Sequence, residues 1–163
     1  MTQPAAMAVD PTAAASNQYL TFLLSAEQYG VEILKVQEIR GYSAVTPIPN
    51  TPAHIKGVIN LRGTVVPVID LRAKFSMERT EYNKFTVIIV VTVGQKVVGL
   101  VVDAVSDVAD IPPAEMRRTP DLGARVDTRF ISGMATIGER MTVLLDIERL
   151  LSEDDFAAVE SLN

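Results

Sequence analysis

An internal repeat restricts the fold of this chain more than any other feature of its sequence. The block 19–39 is repeated as 88–108, and the blocks 55–58 and 68–71 are repeated as 131–134 and 144–147 at a slightly larger offset. The seven extra residues fall between Ile111 and Phe130, where three prolines and a glycine indicate a loop. A chain that carries the same pattern twice is expected to fold as two related units.

Each copy of the repeat predicts about five short strands. Valine and isoleucine together make up about a fifth of the chain, which favours β-structure over helix. Each copy has the pattern of a hairpin, a helical turn, a connection with proline and a second hairpin, which is typical of a small β-barrel. The expected architecture is mostly β, with a first lobe at about 18–83 and a second at about 84–152. The hairpin turns are predicted at 25–27, 61–63, 94–95 and 138–140.

The two ends of the chain differ from the repeats. Residues 1–17 are rich in alanine, proline, threonine and serine and contain no lysine or arginine, so we expect a disordered lead rather than a secretion signal. After Leu145 the apolar spacing becomes helical, and Ser152 precedes three acidic residues as a helix N-cap would. A C-terminal helix is therefore predicted over 153–163.

Composition excludes several classes of protein. The formal net charge of −5 disfavours nucleic acid as a partner, because an acidic protein repels the phosphate backbone. The chain has no cysteine and one histidine, His54, so disulfide scaffolds and sites that need two imidazoles are excluded. No apolar run approaches the ~20 residues of a membrane span, so we expect no membrane insertion and a cytoplasmic location.

No catalytic constellation stands out in the sequence. His54 lies in a turn-rich stretch without a nucleophile motif, and no phosphate-binding glycine loop is present. Asp103, Asp107 and Asp110 could approach one another on a helical turn, but they lack the ligand spacing of a calcium loop. We expect no enzymatic activity, no cofactor and no metal. Two alternatives stay open at this point, which are a barrel that binds single-stranded nucleic acid and a carboxylate enzyme of unknown type.

One charged pair breaks the symmetry between the two copies. Arg62 is the basic residue of a long apolar stretch, and its repeat equivalent is Gly138. Glu38, expected at the end of a helical turn, keeps an acidic equivalent in Asp107. We therefore predict an ion pair between Glu38 and Arg62 in the first lobe alone.

Several segments of the chain resemble the signature of the CheW family, the coupling proteins of bacterial chemotaxis. The segments are YGV at 29–31, VQEIR at 36–40, IKGVINLRG at 55–63, PVIDL at 67–71, VGLVVD at 98–103, VSDV at 105–108 and VLLDI at 143–147. The resemblance covers about residues 18–152. It implies two SH3-like five-stranded barrels around a shared hydrophobic interface, and a non-enzymatic adaptor. Such an adaptor couples the cytoplasmic tips of methyl-accepting chemoreceptors to the histidine kinase CheA in membrane-associated arrays.

The resemblance also implies two sets of binding residues. Those that match the receptor-binding pattern are Val36, Glu38, Gly57, Arg62, Val105 and Val108. Valine side chains would supply apolar area to a receptor helix, Gly57 would let that helix come close, and the charges would fix its register. For the contact with the regulatory domain of the kinase, Arg117 matches the family, whereas Leu122 stands where relatives often carry an aromatic residue.

Overall fold

A computed structural model describes residues 18–42, 45–49, 55–75, 77, 82–117 and 130–151. The expected lead over 1–17, the expected helix over 153–163, His54 and Leu122 all lie outside these ranges. Within them the chain is mostly β, as predicted, with two short α-helices and two single 3-10 turns. No helix in the described ranges is long and apolar enough to cross a membrane.

The described chain forms ten strands, five from each copy of the repeat. In the first copy they are β1 (Gln18–Leu24), β2 (Glu27–Glu32), β3 (Val36–Gly41), β4 (Ile55–Leu61) and β5 (Thr64–Asp70). In the second copy they are β6 (Val87–Val93), β7 (Lys96–Val102), β8 (Ala104–Asp110), β9 (Ile131–Ile137) and β10 (Arg140–Leu145). Helix α1 (Leu71–Lys74) follows β5, and helix α2 (Ile147–Leu150) follows β10. The 3-10 turns are Ile33–Lys35 and Pro113–Glu115.

The structural elements repeat with the offsets found in the sequence. Strand β6 begins and ends where the smaller offset places the equivalent of β1. Strand β9 begins and ends where the larger offset places the equivalent of β4, and helix α2 stands in the same relation to α1. The sequence repeat is therefore confirmed as a repeat of structure.

The four predicted hairpin turns are also present. Ser25 and Ala26 both adopt positive φ, at 50° and 68°, as the centre of a primed turn requires. Arg62 and Gly63 do the same at 51° and 88°, and the other two turns carry Gly94 and Gly138 at positive φ. Primed turns match the right-handed twist of strands, so they close each hairpin tightly.

Two five-stranded sheets are formed, and each takes strands from both copies of the repeat. Sheet A has the order β8-β1-β2-β10-β9, and sheet B has the order β3-β6-β7-β5-β4. Neighbouring strands are antiparallel except β2 with β10 and β5 with β7, which are parallel. Neither sheet corresponds to residues 18–83 or 84–152 alone, because a sequence repeat identifies equivalent strands without saying which copy each strand joins.

The hydrophobic core has three parts. One cluster lies within sheet B and includes Ile59 and Val90, and a smaller one within sheet A includes Tyr19 and Leu144. The largest, called the shared core here, draws on both sheets and both helices. Strand β6 shows why its sequence is apolar throughout, since Ile88 and Val90 face the sheet B cluster while Ile89 and Val91 face the shared core.

Candidate functional site

The residues predicted to bind a receptor lie on two sheets. Val36 and Glu38 are on β3, Gly57 is on β4 and Arg62 is in the β4–β5 turn, all in sheet B. Val105 and Val108 are on β8 in sheet A. Glu38 does not end a helical turn, because the 3-10 turn stops at Lys35 and the chain is extended from Val36 onward.

Strands β3 and β8 are equivalent edge strands, and each combines a buried anchor with an exposed apolar side chain. Val36 and its equivalent Val105 pack against the shared core. Ile39 and its equivalent Val108 are each 45% exposed. Half-exposed aliphatic side chains beside a core-anchored strand form a surface that a partner helix can cover.

Both edge strands carry a β-bulge next to the predicted contact residues. The register of β3 against β6 shifts between Val36 and Glu38, so that Gln37 is the extra residue. The register of β8 against β1 shifts at the equivalent place, which leaves Ser106 extra. A bulge bends its strand and redirects the flanking side chains, and such bulges are frequent beside functional sites.

The predicted ion pair between Glu38 and Arg62 is present. An Arg62 guanidinium nitrogen donates to Glu38 Oε1 at 2.7 Å, and the two side chains are 27% (Glu38) and 67% (Arg62) exposed. The turn that carries Arg62 is fixed locally, because the Gly63 N–H donates to Asn60 Oδ1 at 2.8 Å. In the second copy, Gly138 replaces the arginine, and the carboxylate of Asp107 accepts the N–H of Val108 instead.

A shallow cavity of about 260 Å³ lies beside this ion pair. It is lined by residues of the β4–β5 hairpin together with one residue each from β3 and β7, which are Leu61, Arg62, Thr64, Val66, Gln37 and Val97. The guanidinium of Arg62 therefore stands between the carboxylate of Glu38 and an open depression. An approaching side chain could enter the depression without breaking the ion pair.

Gly57 lacks a side chain because another part of the same chain occupies its place. Its φ is +146°, and a Cβ atom there would overlap the carbonyl of Thr46. Thr46 and Val58 exchange two backbone hydrogen bonds of 2.9 Å, which hold residues 45–47 against β4. The interpretation of Gly57 as an opening for an external helix is therefore wrong about what fills the space.

Arg117 lies on the opposite side of sheet A from the receptor-facing strand. Its backbone exchanges two hydrogen bonds of 2.8 Å with Met134 on β9, and its side chain is exposed. Strands β9 and β8 are the two outer strands in the order of sheet A. This bridge is equivalent to the one between Thr46 and Val58, because Met134 is the repeat equivalent of Val58. The predicted kinase-binding residue and the predicted receptor-binding valines thus belong to different edges.

Comparison with known proteins agrees with this arrangement of two matched sheets. A model of the CheW-like domain matches residues 18–155. The chain belongs to the CheW family. A chemotaxis protein CheW of Klebsiella aerogenes is 50% identical over 145 residues, which cover 89% of this chain and 87% of the relative. A probable chemotaxis protein CheW of Rhizobium etli is 39% identical over 141 residues, covering 86% and 91% respectively.

A solved structure of a CheW protein has the same fold. It is the scaffolding protein TtCheW from Thermoanaerobacter tengcongensis, with a TM-score of 0.78 and 34% sequence identity, and the match covers 84% of this chain and 88% of that one. Membership of the CheW family therefore places the chain among the scaffold proteins of chemotaxis.

Sequence analysis missed a buried charged network that this CheW-family chain places between its sheets. Arg72 is 1% exposed and contacts Asp103 Oδ1 at 2.9 Å and Asp70 at 3.4 Å. Tyr82 donates its hydroxyl proton to Asp70 at 2.9 Å, and burial together with Asp70 raises the pKa of Tyr82. A charged residue inside an apolar run, as Arg72 is, was the available signal, since such a residue needs a partner when buried.

The same network accounts for the carboxylates that were considered as a cation site. Asp103 is engaged by Arg72 and also accepts the N–H of Ser25 at 2.8 Å. Asp107 accepts the N–H of Val108 at 2.7 Å. Within the described ranges, no group of three histidine, cysteine or acidic side chains is placed to hold a metal ion. Asp103 thus links Arg72, beside sheet B, to the β1–β2 turn of sheet A.

Proposed function

We propose that this protein is a non-enzymatic adaptor that binds the cytoplasmic tips of methyl-accepting chemoreceptors and the regulatory domain of the histidine kinase CheA. It acts in the cytoplasm at membrane-associated receptor arrays and makes kinase activity responsive to the receptors. Membership of a family of chemotaxis scaffold proteins supports this role.

The observation that carries the receptor half of the proposal is the matched pair of edge strands. Ile39 on β3 and Val108 on β8 expose apolar area, and Val36 and Val105 hold the same strands against the shared core. The ion pair of Glu38 and Arg62 borders β3 and supplies charge at the rim. An apolar strip with a charged rim fits an amphipathic helix, since apolar contact provides affinity and charge fixes register. The receptor-binding residues are Val36, Glu38, Gly57, Arg62, Val105 and Val108, of which Gly57 acts by shaping the segment around Thr46.

The kinase half of the proposal assigns Arg117, with Leu122, to the contact with the regulatory domain. Arg117 is exposed and its backbone is held to β9, so its side chain is displayed on a fixed support. Because β9 and β8 are the two outer strands of sheet A, both partners can bind the adaptor together. Simultaneous binding is what an adaptor between receptor and kinase requires.

The test is reconstitution from purified components. The full chain, a fragment of a receptor cytoplasmic tip and a CheA-type kinase are mixed, and autophosphorylation of the kinase is measured with each component omitted in turn. Stimulation is expected only when all three are present. Equal stimulation without this protein, or none with it, contradicts the proposal.

Two matched variants test the receptor surface. Val108→Asp and Met141→Asp each place a carboxylate at an exposed apolar position, the native side chains being 45% and 49% exposed. Only the first lies on a proposed receptor strand. We expect Val108→Asp to reduce binding of the receptor tip strongly and Met141→Asp to leave it near the wild-type value. Retained binding by Val108→Asp would remove β8 from the receptor surface.

A further inference from the structure

Two short linkers carry the chain from one sheet to the other. The 3-10 turn Ile33–Lys35 leads from β2 in sheet A to β3 in sheet B, and Asp103 alone leads from β7 in sheet B to β8 in sheet A. Each linker is followed at once by an edge strand that carries proposed receptor-binding residues. The position of each linker therefore decides where the following strand begins.

Each linker is held by an ion pair with the second residue of a short helix. Arg72 of α1 contacts Asp103 at 2.9 Å, and Glu148 of α2 contacts Lys35 at 2.6 Å. Arg72 and Glu148 are repeat equivalents, each being the second residue of its helix. The two copies thus use the same contact with the charges reversed, the helix being basic in one and acidic in the other.

The two ion pairs differ in exposure, and so in what they can do. Arg72 and Asp103 are 1% and 22% exposed, and Asp103 also accepts the N–H of Ser25, so this pair is part of the buried structure. Lys35 and Glu148 are 30% and 58% exposed. Water and salt weaken an exposed ion pair, and its loss changes stability little. The exposed pair can therefore change without unfolding the protein.

The exposed pair stands over an apolar contact between β3 and α2. Ile33 and Val36 pack against the shared core, to which Ile147 and Leu150 of α2 belong. The hydrogen bond with Glu148 raises the pKa of Lys35, and the same bond lowers the pKa of Glu148. Both groups accordingly stay charged near neutral pH. Helix α2 thus holds the start of β3 both by an apolar contact and by a charged one.

We propose that Lys35 and Glu148 are positioning residues, which set the presentation of β3 to the receptor through contact with α2 and make receptor affinity sensitive to changes at that helix. This inference rests on the proposed function, because it assumes that β3 contacts the receptor. The two side chains act through Val36 and Glu38.

Binding of a receptor-tip fragment to the full chain tests the proposal at low and at high ionic strength. Lys35→Glu and Glu148→Lys are each expected to weaken binding about two- to fivefold at low ionic strength. The double swap, Lys35→Glu with Glu148→Lys, is expected to recover most of the loss, and Lys35→Arg to bind as wild type does. The melting temperature of every variant is expected to stay close to that of the wild type, which separates positioning from a structural role. At high ionic strength the single variants and the wild type should converge, because salt screens the pair.

Arg149→Glu is the matched control. Arg149 is the next residue of α2, is 70% exposed and pairs with Asp146 rather than with the linker. It makes the same change of net charge as Lys35→Glu, so wild-type binding by Arg149→Glu shows that the linker contact matters rather than overall charge. The inference is overturned if the single variants bind as wild type does, if the double swap recovers nothing, or if Arg149→Glu is equally impaired. Failure of the wild-type chain to bind the receptor tip contradicts the proposed function instead.

Discussion

Arg62 donates to the carboxylate of Glu38 at 2.7 Å from a turn in which its own backbone is left-handed, with φ at 51°. A non-glycine residue in that conformation is uncommon, and here the turn aims the side chain towards β3. The contact joins the two segments that carry four of the six proposed receptor-binding residues.

A charge swap tests whether this contact matters for binding. Glu38→Arg and Arg62→Glu are each expected to weaken receptor binding, and the double swap to recover part of it. An exposed ion pair contributes only about 0.2–1 kcal/mol to stability, so melting temperatures should change little. Binding of the receptor tip by the two single variants and the double variant gives a coupling free energy. Losses that simply add would mean that the two residues contact the receptor independently.

Gly57 and its equivalent Gly133 offer a comparison of backbone and side-chain obstruction. A Cβ at Gly57 overlaps the backbone of Thr46 at a φ of +146°, whereas a Cβ at Gly133 meets the flexible side chain of Met116. Gly57→Ala should reduce the free energy of unfolding by at least about 2 kcal/mol, and Gly133→Ala by roughly 1 kcal/mol. Chemical denaturation of both variants measures the difference. Equal losses would show that residues 45–47 move aside freely.

The buried Arg72 should be essential for stability. Arg72→Met removes the cation that faces Asp70, which is fully buried, and Asp103, and leaves their carboxylates without it. Breaking a buried ion pair in this way costs about 3–5 kcal/mol. Denaturant titration is the measurement, with Arg149→Met as the exposed control. A loss below about 1 kcal/mol would show that water replaces the guanidinium.

Arg117→Asp should separate the two binding functions. The β9 bridge is made by the backbone of Arg117, so the substitution leaves it in place. We expect receptor-tip affinity near the wild-type value and reduced assembly of receptor, kinase and adaptor into higher-order complexes. Affinity comes from a two-component titration and assembly from sedimentation of the three-component mixture. Equal loss of receptor binding would show that the two edges are not independent.

Stability should decline in alkaline solution. Burial raises the pKa of Tyr19 and of Tyr82, and contact with Asp70 adds to the effect at Tyr82. The folded protein therefore holds these phenol protons more tightly than the unfolded chain does. The free energy of unfolding is expected to be unaffected below the ordinary tyrosine pKa of about 10 and to fall as pH rises above it. Ultraviolet titration of tyrosinate should show fewer than four tyrosines ionising in the ordinary range.

Patterns that depend on neighbours in the sequence could be predicted, and contacts between distant segments mostly could not. The hairpin turns at Ser25 and Gly94 follow from residue type and spacing, and so does the apolar β6. The Glu38–Arg62 pair was predictable because the repeat showed which copy carried the arginine. The overlap at Gly57 depends on where Thr46 packs, and the partners of Arg72 lie in the loop before β6 and in a linker. No local pattern encodes either arrangement.

The exchange of strands between the sheets also bears on the ancestry of the chain. A half-length protein with the strands β1 to β5 could not complete either sheet, because β1 and β2 pair with β8 and β10 rather than with β3 to β5. Two copies of such a half could complete both sheets by lending strands to each other, since every partner in the second copy has an equivalent in the first. The fold is therefore that of an intertwined twofold homodimer whose two subunits were joined by gene duplication and fusion. Fusion freed one copy to carry Arg62 and the other Gly138, a difference that a symmetric dimer of identical subunits cannot have.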